Sequence, residues 1–213
     1  HILPENLNEI TNTFSDPRFV KTDPIGDLSA TLKKDGSVFR NVDCNCWNHN
    51  VRIKECDNTL VDVQVLTTIP VLFSYWAKDI ECLALSKFLN DHINRVVLEF
   101  PERFIGLGTI PMQNIDYAIK EMNRCVKDLK FPGIILGSNI NGENLSSEKF
   151  KPIFEYAEKI DCSIFIHSWE MMGQMEMERY WLPWLVGMPA ETSRAICSII
   201  FGGVLERSPN LKI

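Results

Sequence analysis

The stretch Cys-Ser-Ile-Phe-Ile-His-Ser-Trp-Glu, residues 162–170, predicts a strand that ends in a histidine. Residues 164–166 form an apolar run directly before His167, and such a run is typical of a strand buried on both faces of a parallel sheet. In parallel α/β folds the carboxyl ends of the strands carry the functional side chains. We therefore expect His167 to be either a metal ligand or acid/base, or a rim histidine bonded to a backbone carbonyl.

Strands and helices are predicted to alternate along the chain. Apolar or β-branched segments predict four further strands, at residues 60–71, 104–110, 133–137 and 211–213. Periodicity predicts helices at residues 51–56, 80–97, 114–129 and 150–160, and one that opens at Pro189 with Glu191 near its positive end. A strand spacing of ~30–40 residues is typical of βαβ units around a parallel sheet, which a doubly wound sheet and a TIM barrel both satisfy. No G-x-G-x-x-G motif follows a strand, so a dinucleotide site is not expected.

The composition excludes several classes of partner. The 213 residues are 45% hydrophobic and carry a formal net charge of −6, so we expect one sizeable core and no nucleic-acid partner. No apolar run reaches the length of a membrane span and no signal peptide is visible, so no membrane partner is expected. The 7 cysteines are scattered and odd in number, which predicts reduced thiols and a cytosolic location.

Residues 10–40 differ from the rest of the chain because they are polar and contain several prolines and glycines. We interpret this segment as a loop or small excursion near the mouth of the active site, since long ordered loops are often functional. We interpret residues 1–213 as a single domain.

Three further features are candidates for chemistry. His1 precedes Ile-Leu-Pro, and this stretch resembles the end of the first strand of metal-dependent hydrolase barrels, where an apolar strand ends in histidine and a proline follows. Arg40 follows a Lys-Asp-Gly turn and is either a carboxylate clamp, because its planar fork binds two oxygens, or a surface arginine. Trp181 and Trp184 are separated by Pro183, which argues against an ordinary helix face, although core packing remains open for either ring.

Several stretches together resemble the aminocarboxymuconate semialdehyde decarboxylase family of the amidohydrolase superfamily. These stretches are residues 1–4 (HILP), 34–40 (KDGSVFR), 70–78 (PVLFSYWAK), 103–113 (RFIGLGTIPMQ), 165–169 (FIHSW) and 180–192 (YWLPWLVGMPAET). The last stretch is specific to this family. The resemblance implies a (β/α)8 TIM barrel of the metal-dependent hydrolase type, incomplete in this chain and covering about the first five to six β/α units.

The family resemblance also implies an activity. It is the zinc-dependent, non-oxidative decarboxylation of 2-amino-3-carboxymuconate 6-semialdehyde to 2-aminomuconate 6-semialdehyde in tryptophan catabolism by the kynurenine pathway, which limits quinolinate formation. The enzyme would be a carboxy-lyase with a dicarboxylate semialdehyde as its substrate, and the family implies a homodimer. Zn²⁺ is the implied cofactor, and neutral imidazoles suit that ion.

Site residues carry over from the resemblance one by one. His1 and His167 match zinc ligands, Arg40 matches an arginine that binds a substrate carboxylate, and Trp184, Phe39 and Met171 match pocket positions. The resemblance places the acid/base histidine beyond Ile213, so no catalytic residue is expected within this chain.

Because the ends of the chain are abrupt, we expect it to be a fragment truncated at both ends, and we expect this chain alone to be inactive. Two alternatives remain open. One is a catalytically dead truncated product that acts only as a dimer partner. The other is a related amidohydrolase-superfamily decarboxylase with another substrate.

Overall fold

Strands and helices alternate along residues 1–213, all of which are described by a computed structural model. The chain divides into two units, His1–Thr109 and Ile110–Ile213. Each unit contains one pair of parallel strands with a helix between them in sequence, which is the βαβ arrangement that the strand spacing predicts. A single domain over all 213 residues stays a prediction.

The first unit builds its parallel pair from two short strands. In chain order its elements are α1 (Asn8–Thr11), β1 (Lys21–Ile25), β2 (Ser29–Lys34), β3 (Ser37–Asp43), α2 (His49–Asn58), β4 (Gln64–Leu66), α3 (Asp79–Glu99) and β5 (Phe104–Thr109). The predictions of α2, α3 and β5 are confirmed. The predicted strand at 60–71 is too long, because Leu60 has a φ of 59° just after α2 and Pro70 begins a 3₁₀ turn.

Helix α3 packs on β5 through one apolar face. Leu85, Leu89 and Ile93 on that face are buried. The neighbouring Asn90 is also fully buried: its Nδ2 donates to the Thr109 carbonyl oxygen at 2.9 Å, and its Oδ1 accepts from the Thr109 N–H at 2.7 Å. The amide side chain thus pairs with the last residue of β5 in the way a neighbouring strand would.

Residues 21–43 form a three-stranded antiparallel sheet in the order β1-β2-β3. The segment predicted as a loop or small excursion therefore contains strands, because Gly26 and the pair Asp35-Gly36 take the positive φ values that tight hairpins need. Asn8 attaches this sheet to α1, since its side chain bonds both the N–H and the carbonyl oxygen of Thr22, at 2.9 and 2.7 Å. A position of this sheet at the mouth of the active site stays a prediction.

The second unit matches its sequence patterns closely. Its elements are α4 (Ile115–Lys127), β6 (Gly133–Gly137), β7 (Asn139–Ile140), β8 (Glu143–Asn144), α5 (Lys151–Lys159), β9 (Ser163–His167), α6 (Met188–Phe201) and α7 (Val204–Arg207). Strands β6 and β9 pair in parallel, from Gly133 opposite Ser163 to Gly137 opposite His167. Helix α4 begins where Asn114 accepts a bond from the Tyr117 N–H at 3.0 Å.

Two strand predictions in the second unit are wrong. Residues 211–213 form no strand and make one backbone bond toward β9, from the Ile164 N–H to the Lys212 carbonyl oxygen at 2.8 Å. Strand β9 is also not buried on both faces, because Ile164 is 3% exposed whereas Phe165 is 49% exposed. Successive strand side chains point to opposite faces, so only the Ile164 face of β9 is packed.

No helix of the protein combines the length and the apolar character needed to cross a bilayer.

Candidate metal and substrate site

His1 lies beside the end of β4 in the first unit. The next residue, Ile2, forms a parallel bridge with Thr68, and the Ile2 N–H donates to the Thr67 carbonyl oxygen at 2.8 Å. The Nδ1 atom of His1 lies 2.7 Å from Thr67 Oγ1 and 3.0 Å from the Thr68 carbonyl oxygen. Because a carbonyl oxygen only accepts, this contact requires a proton on Nδ1, and the lone pair of the neutral ring is then on Nε2.

His167 is the last residue of β9, and its Nδ1 atom, like that of His1, contacts a backbone carbonyl oxygen. Its Nδ1 atom lies 2.8 Å from the Ser168 carbonyl oxygen, so the neutral ring again carries its lone pair on Nε2. Zinc-binding histidines usually donate their second ring N–H to such an acceptor. A rim histidine makes the same bond, so the contact agrees with both alternatives for His167 and does not decide between them.

Residues 1–213 by themselves contain no group of three or more His, Cys, Asp or Glu side chains placed to hold a metal ion. A catalytic zinc ion takes three protein ligands and leaves one position open. The two imidazoles fit zinc in donor type, but they are too few for a complete site.

Arg52 was not singled out by the sequence, yet it fixes the backbone at His1. Its Nη2 donates to the His1 carbonyl oxygen at 2.8 Å, and its Nη1 donates to Gln64 Oε1 at 3.0 Å. The sequence around Arg52 does not indicate this role, because its two partners, His1 and Gln64, are distant from it along the chain.

The predicted substrate residues of the first unit lie together on β3. Phe39 is 44% exposed, and Arg40 is exposed with no hydrogen bond or ion pair to its guanidinium in residues 1–213. An arginine without an internal partner keeps its whole fork available for an external carboxylate.

Trp184 and Met171 belong to the second unit. Trp184 lies in the π-helical turn Pro183–Gly187, its ring centroid is 4.9 Å from that of Trp181, and it is 43% exposed. Core packing is therefore excluded for Trp184 in this chain. Met171 lies close to the same turn, since a Cβ placed on Gly187 would be 3.1 Å from Met171 Cβ.

A cavity of about 320 Å³ in the first unit was not predicted. It lies between the segment after His1, represented by Leu3 and Glu5, the β1–β2 hairpin and Trp47. The hairpin contributes Thr22, Pro24, Gly26, Asp27, Ser29 and Ala30. No sequence pattern indicates this cavity, because it depends on how the antiparallel sheet folds back on the residues that follow His1.

Comparison with known proteins places the chain in a family. Residues 52–213 match the family described as Amidohydrolase. The chain belongs to the amidohydrolase family. Over all of its 213 residues it is 51% identical to the 2-amino-3-carboxymuconate-6-semialdehyde decarboxylase of Dictyostelium discoideum and covers 59% of that protein. It is 31% identical to the Caenorhabditis elegans protein of the same name, covering 100% of this chain and 65% of that protein. The chain thus spans about three fifths of the curated relatives it matches.

Similarity to solved structures confirms the predicted fold. The apo IDCase of Metarhizium anisopliae superposes with a TM-score of 0.79 at 18% identity, covering 99% of this chain and 61% of that one. A 5-carboxyvanillate decarboxylase from Novosphingobium aromaticivorans, solved with bound manganese, gives a TM-score of 0.72 at 28% identity over 78% of this chain and 49% of that one. The chain is therefore an incomplete α/β barrel of the metal-dependent hydrolase type.

Proposed function

We propose that the complete protein decarboxylates 2-amino-3-carboxymuconate 6-semialdehyde to 2-aminomuconate 6-semialdehyde. The observation that carries the proposal is 51% identity, across the whole chain, to the Dictyostelium discoideum decarboxylase of that substrate. Because this chain covers 59% of that relative, the activity is assigned to the full-length protein and not to residues 1–213 alone.

Zinc is the proposed cofactor, with His1 and His167 as two of its ligands through Nε2. The Nδ1 contacts of both rings to backbone carbonyl oxygens are compatible with this choice, because they leave the lone pair of each neutral ring on Nε2, where a metal ligand needs it. A bound zinc ion would supply Lewis-acid polarisation of an oxygen atom. A related decarboxylase contains manganese, so both metals belong in the test.

Arg40 is proposed to hold a substrate carboxylate through paired N–H···O bonds. The substrate carries two carboxylates, and one of them must leave as carbon dioxide while the other anchors the molecule. Loss of carbon dioxide breaks a carbon–carbon bond and leaves its electron pair on carbon, where a proton is added. The family's acid/base histidine, expected beyond Ile213, would handle that proton. Phe39, Trp184 and Met171 would form apolar walls that exclude water.

The cellular setting is part of the same proposal. We infer a role in tryptophan catabolism by the kynurenine pathway, where decarboxylation competes with cyclisation to quinolinate, and a homodimeric enzyme in the cytosol. All 7 cysteines are free thiols, which supports a reducing compartment.

The test is a decarboxylation assay on the full-length protein, loaded in turn with zinc and manganese. We expect loss of substrate absorbance with release of carbon dioxide, and we expect Arg40→Ala to raise KM at least tenfold. Arg40→Lys is the matched control, because it keeps the charge but loses the planar fork, and it should fall between the wild type and Arg40→Ala. A full-length protein that leaves this substrate unchanged with either metal would refute the proposal.

A second candidate is a related decarboxylase acting on an aromatic carboxylate. The observation that favours it is 27% identity to the 5-carboxyvanillate decarboxylase of Sphingomonas paucimobilis, with a TM-score of 0.71. Offering 5-carboxyvanillate beside the semialdehyde substrate, in the same assay, separates the two candidates by kcat/KM.

The third possibility is a catalytically dead product that serves only as a dimer partner. It gains support from the lack of a three-ligand metal group in residues 1–213. It predicts no activity for this polypeptide with added zinc, and it predicts that the polypeptide associates with the full-length enzyme.

A further inference from the structure

The carboxylate of Glu191 lies at the centre of a buried hydrogen-bond cluster in the second unit. Glu191 is 0% exposed. Its Oε1 accepts from Ser138 Oγ at 2.9 Å, from Asn139 Nδ2 at 3.0 Å and from Arg194 Nη2 at 2.6 Å. Three donors aimed at one oxygen atom suit an acceptor-only group, which an ionised carboxylate is.

The Glu191 cluster holds the loop that follows β9, residues 168–172. The Trp169 N–H donates to Ser138 Oγ at 3.0 Å, and Asn139 Nδ2 donates to the Trp169 carbonyl oxygen at 2.8 Å. The Met172 N–H approaches Glu191 Oε2 at 3.4 Å. Both ends of this loop are therefore tied, directly or through one side chain, to the same carboxylate.

The held loop contains the group that orients His167. The imidazole Nδ1 donates to the Ser168 carbonyl oxygen, and Ser168 is the residue directly before Trp169. In addition, the Ser138 N–H donates to the His167 carbonyl oxygen at 2.8 Å. A shift of the loop would therefore turn the ring of His167.

The loop also stores backbone strain. Glu170 has a φ of 46°, a left-handed conformation that is unfavourable for a residue other than glycine. Such a conformation persists only where the surrounding contacts hold it, and the bonds to Trp169 and Met172 on either side of Glu170 are such contacts.

We propose that Glu191 is a positioning residue for His167 and sets the metal affinity of the protein through the loop 168–172. The inference rests on the proposed function, because it takes His167 as a metal ligand. Glu191 itself touches neither substrate nor metal in this assignment. Substitution of a residue that orients a metal ligand typically weakens the affinity for the metal 10- to 100-fold.

The chain offers a matched control for the loss of a buried ion pair. Glu121 in α4 is 1% exposed, and its Oε1 pairs with Arg124 Nη2 at 2.7 Å, three residues further along the helix. Glu191 and Arg194 have the same spacing, with a distance of 2.6 Å. Glu121→Gln therefore removes an equivalent charge without touching the loop.

The experiment compares the wild type, Glu191→Gln and Glu121→Gln in the full-length protein. Zinc affinity is measured by competition with a chromogenic chelator, and amide exchange of residues 168–172 by mass spectrometry. We expect Glu191→Gln to weaken zinc binding about 10- to 100-fold and to speed exchange in the loop. Glu121→Gln should leave both within threefold of the wild type.

The inference is overturned if Glu191→Gln keeps wild-type zinc affinity, if Glu121→Gln weakens zinc equally, or if the wild type binds no zinc. If Glu191→Gln does not fold, Ser138→Ala decides, because it breaks the link from Glu191 to Trp169 and leaves the carboxylate intact. Neither measurement uses substrate. A protein that binds zinc in this Glu191-dependent way but does not decarboxylate the semialdehyde refutes the proposed function alone.

Discussion

At the scale of single residues, two asparagine side chains replace strand neighbours. Asn90 pairs with both backbone groups of Thr109, and Asn8 pairs with both backbone groups of Thr22. The two sites differ in burial, because Asn90 is 0% exposed whereas Asn8 is half-buried. A comparison of the two sites therefore measures how much burial adds to the stabilisation that the same pair of hydrogen bonds provides.

Asn90→Ala should destabilise the protein more than Asn8→Ala. The first change leaves the N–H and the carbonyl oxygen of buried Thr109 without this partner, at about 1–3 kcal/mol for a buried unsatisfied group. Thr22 is 7% exposed, but its partner Asn8 is half-buried, so water can enter from the side of Asn8 once the amide is removed, and we expect less than about 1 kcal/mol. Urea unfolding of the full-length variants measures both costs, and equal costs would contradict the role assigned to burial.

His92 in α3 makes stability depend on pH. Its Nε2 is buried without a hydrogen-bond partner, and burial, followed by the charges of Arg95 and His49, lowers the pKa of His92 to about 4. The unfolded chain binds this proton near pH 6.5, so the unfolded state gains protons first as the pH falls. The folding stability associated with a neutral His92 is therefore fully present above about pH 6.5, and it is lost progressively as the pH falls to about 4.

His92→Gln should flatten this part of the pH profile. With the pKa lowered to about 4, the wild type should lose on the order of 2 kcal/mol between pH 7 and pH 5 through this group. Urea unfolding of both proteins at pH 7.5, 6 and 5 measures the difference between them. A wild type and variant whose stabilities fall in parallel would show that His92 does not titrate as described.

At the scale of elements, the pairing of β6 with β9 depends on one glycine. A Cβ added to Gly133 would lie 2.2 Å from the Ser163 carbonyl oxygen, closer than any real contact of this kind. Gly133 therefore allows the two backbones to approach, although its own φ is ordinary.

Gly133→Ala should force β6 away from β9. We expect a loss of about 3 kcal/mol, at the upper end for overpacking, because the clashing atom is backbone and cannot rotate away. Gly142→Ala is the control: it meets no atom within 4 Å and strains only its own turn through a φ of 81°. Amide exchange of β9 should rise for Gly133→Ala alone, and protection equal to the wild type would contradict this reading of the contact.

The segment before α6 shows how an element can depart from its sequence pattern. Pro183 opens a π-helical turn, and the two residues Tyr180 and Trp181 before it have φ values of 60° and 58°. Neither is a glycine, so the turn carries strain that local sequence preferences do not explain. The aromatic rings that result are 66% exposed at Trp181 and 43% exposed at Trp184.

At the scale of the whole molecule, a bound metal should stabilise the full-length protein. A ligand at 100 times its dissociation constant adds about 2.7 kcal/mol when it binds only the folded state. We therefore expect a chelator to lower the Tm of the wild type and zinc to restore it, as followed by calorimetry.

His167→Ala should remove the response to zinc, whereas His49→Ala should retain it, because His49 bonds Glu99 and is not among the proposed ligands. A wild-type Tm that does not respond to the chelator would exclude a tightly bound ion from the folded protein.

The sequence by itself determined the helices α4, α5 and α6, the strands β5, β6 and β9, and the position of His167 at a strand end. These features follow from periodicity and from capping residues such as Asn114, which act within a few residues of each other. The family was also readable, because its motifs are continuous stretches of chain.

Only the tertiary structure decided which side chains are buried and paired. It turned residues 21–43 into a sheet, left Phe165 half-exposed and placed Glu191 in a buried cluster. From sequence, Glu191 is only an acidic residue in the first turn of a helix. Its partner Ser138 is 53 positions away, and no local pattern encodes a contact between residues that meet only when separate strands and helices pack.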